Sequence, residues 1–553
     1  MSEHMSIICF PLEQRLIRPL QQPLAEFCLA RSGNRSIEFA NAENWFLPLR
    51  ILRRMNKDLL LAFDVGTSSA RAALVNQAGK ILAFAAKELE QIIPRSGWSQ
   101  QSPRRWWEGL TFSIRSVLPR VPKSAERIAA IAGCGQMHGT VLVDDAGELV
   151  LEEVPLWNDK RTRELVERFS AEQHAESLWG ITANPPTVAW PAFKLAWIKQ
   201  NLPKAYEASR TVLMPKDYIN FKLTGERKID LSEASSSYLF DFQSGKWSEK
   251  LLGLFSLDPG KLPGISRATE LLGTVTEEAA KSTGLRVGTP VATGAGDFPV
   301  SLLGAGVIRP GIGCDITGTS TVITTLAEQP ATDPMISNIR AIIGGWAAFT
   351  IVDASGDAVR WVRRIFQQQE THSYDQIMSL AAGAPAGSDR LLFLPYLNGE
   401  RIADQPNSRA QFFGLTSGHQ AAHLYRAVLE GVAFAAKKNI ELMNARGCHL
   451  DRMVTAAGGA KTRLWLEIKA SVYNAPILVP SEPECGVLGC AILAGVTAGF
   501  YSDICSAVTS LVRYDGEVLP KPAWRERYQA MQSLFNDLYR SSENFWDRLG
   551  TLI

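Results

Sequence analysis

Cysteine is scarce and scattered, with eight in 553 residues, at positions 9, 28, 134, 314, 448, 485, 490 and 505. None stands at zinc-ligand spacing, and no evenly paired set offers a disulfide framework. Reduced, buried thiols in a cytosolic protein are the expected state. Cys485 and Cys490 are close, but CGVLGC reads as a glycine-rich apolar turn and helix start. Long apolar runs are missing too: no window reaches about 18 uncharged apolar residues, so no spanning helix is predicted. An excess of either charge is absent, with Lys and Arg totalling 58 against 56 Asp and Glu. The bulk field therefore favours neither nucleic acid nor an anionic membrane surface.

What is present is ordinary globular protein, 46% hydrophobic and 21% charged. A single core seldom grows beyond roughly 250–300 residues, so this length predicts two or more domains. The first 54 residues fit least well. They lack the apolar stretch and cleavage site of a secretory signal, and their periodicity is weak. Residues 1–55 read as a poorly ordered extension, with Met55 an alternative start, or as an arm at an oligomer interface.

From Asp58 onward, short apolar strands alternate with helical stretches. LLLAFDV, ARAALVN and KILAFAA predict an antiparallel meander; SPRRWWEGLTFSIRSVL predicts a helix and RIAAIAGCG a strand. This is an α/β chain with mixed pairing. LLLAFDVGTSSARAALV sets Asp64 just before a Gly66-Thr67-Ser68-Ser69 tip between two apolar runs. That pattern reads as a hairpin whose backbone N–H groups and hydroxyls embrace a phosphate. The carboxylate would repel such a phosphate unless a cation or a catalytic need justified it. GCDITGTSTVITTL, residues 313–326, repeats the arrangement and reads as a second copy or as a chance likeness. Further on, RAVLEGVAFAAKKNIELMNARG predicts a helix closed by Gly447. In AAGGAKTRLW, a Gly458-Gly459 turn before a helix lets backbone approach a nucleotide closely.

Three further stretches carry chemistry-bearing residues. GCGQMHG ends a strand with Gln136, Met137 and His138, groups suited to a sugar's hydroxyls and carbon face. A satisfied core histidine is the competing reading. PLWNDKRT packs Trp157, Asn158 and Asp159 into one loop, either a carbohydrate contact or a solvated turn. TPVATGAGDF places Asp297 after a tight glycine turn, as a general base for a hydroxyl nucleophile or as a helix cap.

Together these blocks resemble the FGGY carbohydrate kinases of the actin-like ATPase superfamily (ASKHA), most closely their xylulokinase branch. FDVGTSS and GTST are similar to the phosphate motifs, and GQMHG, LWND and MPKDY to three sugar-domain motifs. Residues 393–431 are similar to the long C-terminal signature, AAGGAKTRLW to the adenosine motif and GVLGCAILAGVTAG to a helical connector. The resemblance runs from about Asp58 to about Gly499, in family order. It implies two actin-like (ribonuclease H-like) α/β domains flanking a catalytic cleft. Residues 56–300 would hold most of the sugar site, 301–515 most of the nucleotide site, and 516–553 would form a C-terminal helical segment.

By motif position, the resemblance implies Asp297 as general base and Asp64 as Mg²⁺ holder. Gln136, Met137, His138, Trp157, Asn158 and Asp159 would meet the sugar. Gly66, Thr67, Ser68, Ser69, Arg71, Gly318, Thr319 and Ser320 would line the phosphates, and Gly458 and Gly459 the adenosine. The implied reaction is transfer from ATP to a ketopentose, D-xylulose first, in a cytoplasmic enzyme without nucleic-acid or membrane partners; analogy suggests a homodimer. Another ketose or polyol as acceptor, or a sugar- or nucleotide-binding regulator, are the alternatives. The chain departs from the pattern at Phe298, where the branch has asparagine, and at Ile402-Ala403 in place of threonine-proline. A phenyl ring supplies no amide hydrogen bond, so the acceptor stays open.

Overall fold

In the computed structural model of the chain, residues 57–552 are described apart from 174, 367–372, 401–404, 406 and 457–461. The N-terminal extension, Ile402, Ala403, Gly458 and Gly459 thus lie outside the described residues.

The strand Leu59–Val65 is buried at every residue, as its unbroken apolar run requires. It pairs antiparallel with Ser69–Asn76, which pairs antiparallel with Ile81–Glu88, so the meander read from sequence is present. On its other side runs the parallel strand Ile128–Gly135. Pro290–Ala292, Leu271–Thr274 and the short Ala295–Gly296 complete a seven-stranded sheet. Side chains alternate across a strand, and here each face has its own cover. Leu59, Leu61 and Phe63 meet Trp106, Leu110 and Ile114 of the helix Pro103–Val117. Leu60 and Ala62 meet Leu488, Ala491 and Ile492 of the helix Cys485–Thr497.

A second seven-stranded sheet repeats this plan. Gly311–Thr317 and Thr321–Ala327 form a hairpin, Trp346–Val352 extends it antiparallel, and Leu450–Ala456 adds in parallel on the far side. The two Gly-Thr-Ser tips are therefore equivalent in topology, but their acids are not. Asp64 stands two residues before Gly66, whereas Asp315 stands three before Gly318. A one-residue offset turns a strand side chain to the other face. Asp315 is fully buried, 2.8 Å from Lys469 Nζ and from the Tyr473 hydroxyl that donates to it. This pair ties the hairpin to the helix Arg463–Tyr473.

The predicted helix with its glycine close spans Ala421–Ala445, and Gly447 takes φ +83°, the left-handed geometry of a C-terminal cap. The C-terminal helix Pro522–Thr551 buries Tyr528, Phe535 and Tyr539 against the second sheet's core. CGVLGC differs from its sequence reading: it is helical from Cys485 onward, with no turn. Its glycines serve contact. The helix Asp297–Gly304 crosses it so closely that a Cβ on Gly304 would sit 1.9 Å from the Cys485 carbonyl oxygen. A Cβ on Gly489 would sit 2.1 Å from the Val300 carbonyl oxygen.

Backbone cannot yield to such a clash as a flexible side chain can. Gly304→Ala should therefore cost at least about 1–3 kcal/mol, the range for overpacked cores. Gly516→Ala, which meets nothing within 4 Å, should leave thermal unfolding nearly unchanged in the same scan.

Candidate active site

Three parallel strands bring their tips together. Asp64, Cys134 and Ala295 lie side by side in register, and Val65, Gly135 and Gly296 follow. From these tips the chain leaves into the Gly66-Thr67-Ser68 turn, into Gln136-Met137-His138, and into Asp297. Segments more than 200 residues apart in sequence thus converge on one sheet edge. Gly296 lacks a side chain because Met137 is there: a Cβ would lie 2.7 Å from its Cγ and Sδ.

Asp64 shares the sheet face of Leu60 and Ala62 and so looks toward the start of the helix Cys485–Thr497, where a Cβ on Gly486 would lie 3.7 Å from Oδ2. Arg71, its cross-strand partner, reaches Oδ2 at 3.3 Å and Glu484 at 3.5 Å. Oδ1 is buried with no hydrogen-bond partner. Burial raises the Asp64 pKa, with Arg71 opposing. Asp297 opens its helix, and Oδ1 accepts the Phe298 N–H at 2.7 Å. Burial first, then the charge of Asp64, push its pKa up to about 7. A carboxyl poised there accepts a proton from a hydroxyl near neutral pH.

Above these tips lies a cavity of about 300 Å³. Met137, His138, Trp157, Asn158, Asp297 and Ser320, all singled out from sequence, line it together. Thr187–Trp190, Phe298, and Val322, Ile339, Phe349 and Ile351 from the second sheet complete much of its wall. His138 is held at φ +67°, edge-on to Trp190 at 5.1 Å, with Nδ1 buried and unpartnered. Burial and nearby Lys194 keep the ring neutral by lowering its pKa well below 6.5. Lys194 braces this wall, donating to the carbonyls of His138 at 2.8 Å and Ala189 at 2.9 Å.

Other predicted residues are placed differently. Gln136 does not line the cavity; its amide accepts from Thr67 Oγ1 at 3.0 Å and donates to Gln101 at 2.8 Å. With Trp157 Nε1 donating to Thr67 Oγ1 at 3.1 Å, this network fixes the first hairpin tip. Asp159 is fully buried on Arg161 at 2.8 Å and the Ser99 N–H at 2.7 Å, a loop brace outside the cavity lining. In the first tip Ser68 is exposed, while Ser69 Oγ accepts from Arg71 Nε at 3.0 Å. In the second, the backbone N–H groups of Gly356 and Asp357 donate to Gly318 and Thr319, seating that tip on the helix Gly356–Phe366.

A buried charge cluster behind Asp297 went unread in the sequence, although MPKDY holds half of it. Lys216 lies 2.5 Å from Asp217 and 3.1 Å from Asp230, and also donates to the Thr293 carbonyl. Burial opposes its charge, but Asp217 and Asp230 together raise its pKa. Glu233 is fully buried with neither oxygen partnered, and burial and Asp230 raise its pKa well above 4.5. Ser232 Oγ, from the same short helix, accepts the Gly296 N–H at 3.2 Å, which ties the cluster to the Asp297 turn. Nothing in the residue spacing foretold it, because its partners come from three separate segments, 216–217, 230–233 and 293–296.

The donor set suits a hard cation at Asp64: an ionisable carboxylate with one orphaned oxygen beside an exposed hydroxyl tip. Among the described residues no three His, Cys, Asp or Glu side chains cluster as a metal cage. That fits an ion such as Mg²⁺, which keeps waters and is completed by nucleotide oxygens.

Comparison with known proteins agrees with this architecture. Residues 59–304 match the N-terminal domain of the FGGY family of carbohydrate kinases, and residues 315–498 its C-terminal domain. A xylulose kinase from Staphylococcus epidermidis is 29% identical over 506 residues, covering 90% of this chain and 100% of that protein. An autoinducer-2 kinase from Klebsiella pneumoniae is 31% identical, covering 87% of this chain and 93% of that protein. The crystal structure of xylulose kinase from Rhodospirillum rubrum superposes with TM-score 0.83 at 30% identity, over 88% of this chain and 100% of that one. The two sheets are thus the paired domains of the actin-like kinase fold anticipated from sequence.

Removing Lys216 would leave two carboxylates buried without a counter-ion. Lys216→Met should destabilise the protein by about 3–5 kcal/mol, read as a lower midpoint in urea unfolding. A change below about 1 kcal/mol would mean that the cluster is not the brace described.

Proposed function

Because the chain belongs to the FGGY family of carbohydrate kinases, we propose that this carbohydrate kinase transfers the γ-phosphoryl group of ATP to a hydroxyl of a small ketose or related polyol at the Asp297 cavity. The observation that carries this reading is the convergence of Asp64, the first Gly-Thr-Ser hairpin and Asp297 on one sheet edge, with Ser320 of the second hairpin lining the same cavity as Asp297. D-xylulose is the reference acceptor, since several relatives are named xylulose kinases. A different acceptor is the second reading, supported by Phe298 and by relatives named autoinducer-2 kinases.

In this reading each residue takes a role. His138 and Asn158 orient the acceptor through hydrogen bonds, and Met137 packs its carbon face. Asp297 takes the hydroxyl proton as the oxygen attacks. Thr67 and Ser68, with the N–H groups of their turn, line the path of the transferred group, and Gly318, Thr319 and Ser320 attend the other phosphates. Mg²⁺ held through Asp64 would neutralise phosphate charge, which is how a carboxylate tolerates that neighbour. Arg71 stays beside Asp64 as a fixed counter-charge. Gln136 and Asp159 hold the tips that the acceptor meets, without touching it. Much of the catalytic effect then comes from alignment, and closure over the acceptor keeps water from competing.

Asp297→Ala should lower turnover by roughly 10²–10⁴, the usual contribution of a positioned base, with the melting curve retained. For the intact enzyme, kcat/KM should rise with pH as Asp297 loses its proton, with the midpoint of the limb at about pH 7 and the plateau above it. A divalent ion at Asp64 would move that limb lower, because it offsets the charge now raising the pKa. The same rising limb persisting in Asp297→Ala would remove Asp297 from the base role.

The direct test is ADP release from Mg-ATP with D-xylulose, D-ribulose, L-xylulose, L-ribulose, glycerol and a no-acceptor control. Selective release with one of them supports the kinase reading and names the acceptor. Folded protein that binds ATP yet stays silent throughout would favour a binding regulator instead.

A further inference from the structure

The cavity has two unlike walls. Its first-domain side sets the polar His138, Asn158, Lys160 and Asp297 among apolar groups such as Trp157 and Trp190. Opposite them, Val322 pairs directly with Ile351, and Phe349 lies two residues before Ile351, so all three share one sheet face. These side chains are only half-buried on strands that are otherwise almost wholly buried, because that face borders the cavity. Phe298, immediately after Asp297, reaches across to Phe349 with ring centroids 5.2 Å apart and planes tilted 60°. Ile339 adds to the same patch. Ser320 and Ser337 are the polar side chains that the second sheet's segment contributes to the lining.

A ketopentose carries oxygen on every carbon. Seated here, whichever of its hydroxyls faces the Phe298–Phe349–Ile351 patch gives up water and gains no partner. An acceptor with hydrogen in place of that hydroxyl loses nothing and buries an apolar carbon. We propose, resting on the kinase reading above, that the preferred acceptor is a deoxy compound. It is a short polyhydroxylated chain bearing a methyl or methylene group where a ketopentose bears a hydroxyl. The apolar carbon lies against Phe298, Phe349 and Ile351, and the reacting hydroxyl lies at Asp297. The bonds made and broken are those of the ordinary transfer; only a carbon that takes no part in it differs.

The experiment compares kcat/KM for D-xylulose with that for its 1-deoxy, 3-deoxy and 4-deoxy analogues, using wild-type protein and Phe298→Asn, with Mg-ATP. Apolar pockets discriminate by roughly 10–200-fold per group, so at least one analogue should exceed D-xylulose by about 10–100-fold. Phe298→Asn should narrow or reverse that ratio by restoring an amide. Thermal stabilisation of the wild-type protein by each compound without nucleotide should rank the same way, and it needs no variant to fold. D-xylulose equal to or better than every analogue in both readouts would overturn the proposal while leaving the kinase reading intact. ADP release with none of the acceptors would overturn both.

Discussion

The site depends on one close crossing between two helices. The helix that begins with Asp297 and the helix Cys485–Thr497 meet with glycine against backbone carbonyl in both directions. Such proximity is available only to residues without a Cβ. The contact fixes the angle at which Asp297 leaves its strand, and it brings the glycine-bearing start of the second helix over Asp64. Cys490 Sγ also donates to the Phe63 carbonyl at 3.3 Å, next to Asp64 in the central strand. Both acids are therefore positioned by the same interface, and a side chain at either glycine would shift them together.

Around this crossing the protein keeps charge buried but braced. Lys216 sits among Asp217 and Asp230 behind the Asp297 turn, and Lys469 sits on Asp315 under the second hairpin. Buried ion pairs contribute little net stability, yet they fix geometry because breaking one strands its partner. Each pair anchors a loop on the cleft. Asp64 and Glu233 differ, with carboxylate oxygens left without a hydrogen-bond partner; the charge of Asp64 raises the pKa of Asp297, and Asp297 in turn helps raise that of Glu233.

Local pattern made much of this legible in the sequence. The meander, the two hairpins and the Gly447-capped helix follow from periodicity and turn chemistry that act over a few residues. Met137, His138 and Asp297 stand at glycine-flanked strand ends, and Trp157 and Asn158 in a loop dense in aromatic and polar groups; both patterns are local, and all five residues line one cavity. Gln136 and Asp159 belonged to the same motifs, but an amide or a carboxylate serves a brace as well as a ligand, and the sequence does not distinguish them. CGVLGC was read partly as a turn because glycine disfavours helix by about 1 kcal/mol; the tertiary crossing overrides that preference. The likeness of Asp64 and Asp315 concealed a one-residue offset that only strand register exposes. The Lys216 cluster stayed hidden because its charged members, all between residues 216 and 233, meet only through the tertiary fold, at a spacing that no helix or strand period brings together.

The helix Cys485–Thr497 follows six of the second sheet's seven strands in the chain yet covers a face of the first sheet, where Leu60, Ala62, Val75 and Ala132 are fully buried with it. This has a consequence for biosynthesis. During translation the first sheet emerges several hundred residues before its cover does. Its apolar face must wait, exposed or loosely collapsed, until nearly the whole chain has left the ribosome. The duplicated halves consequently do not mature one after the other as independent modules. The first becomes complete only when the second returns a helix to it, so a chain stopped before Cys485 would fail in its N-terminal core.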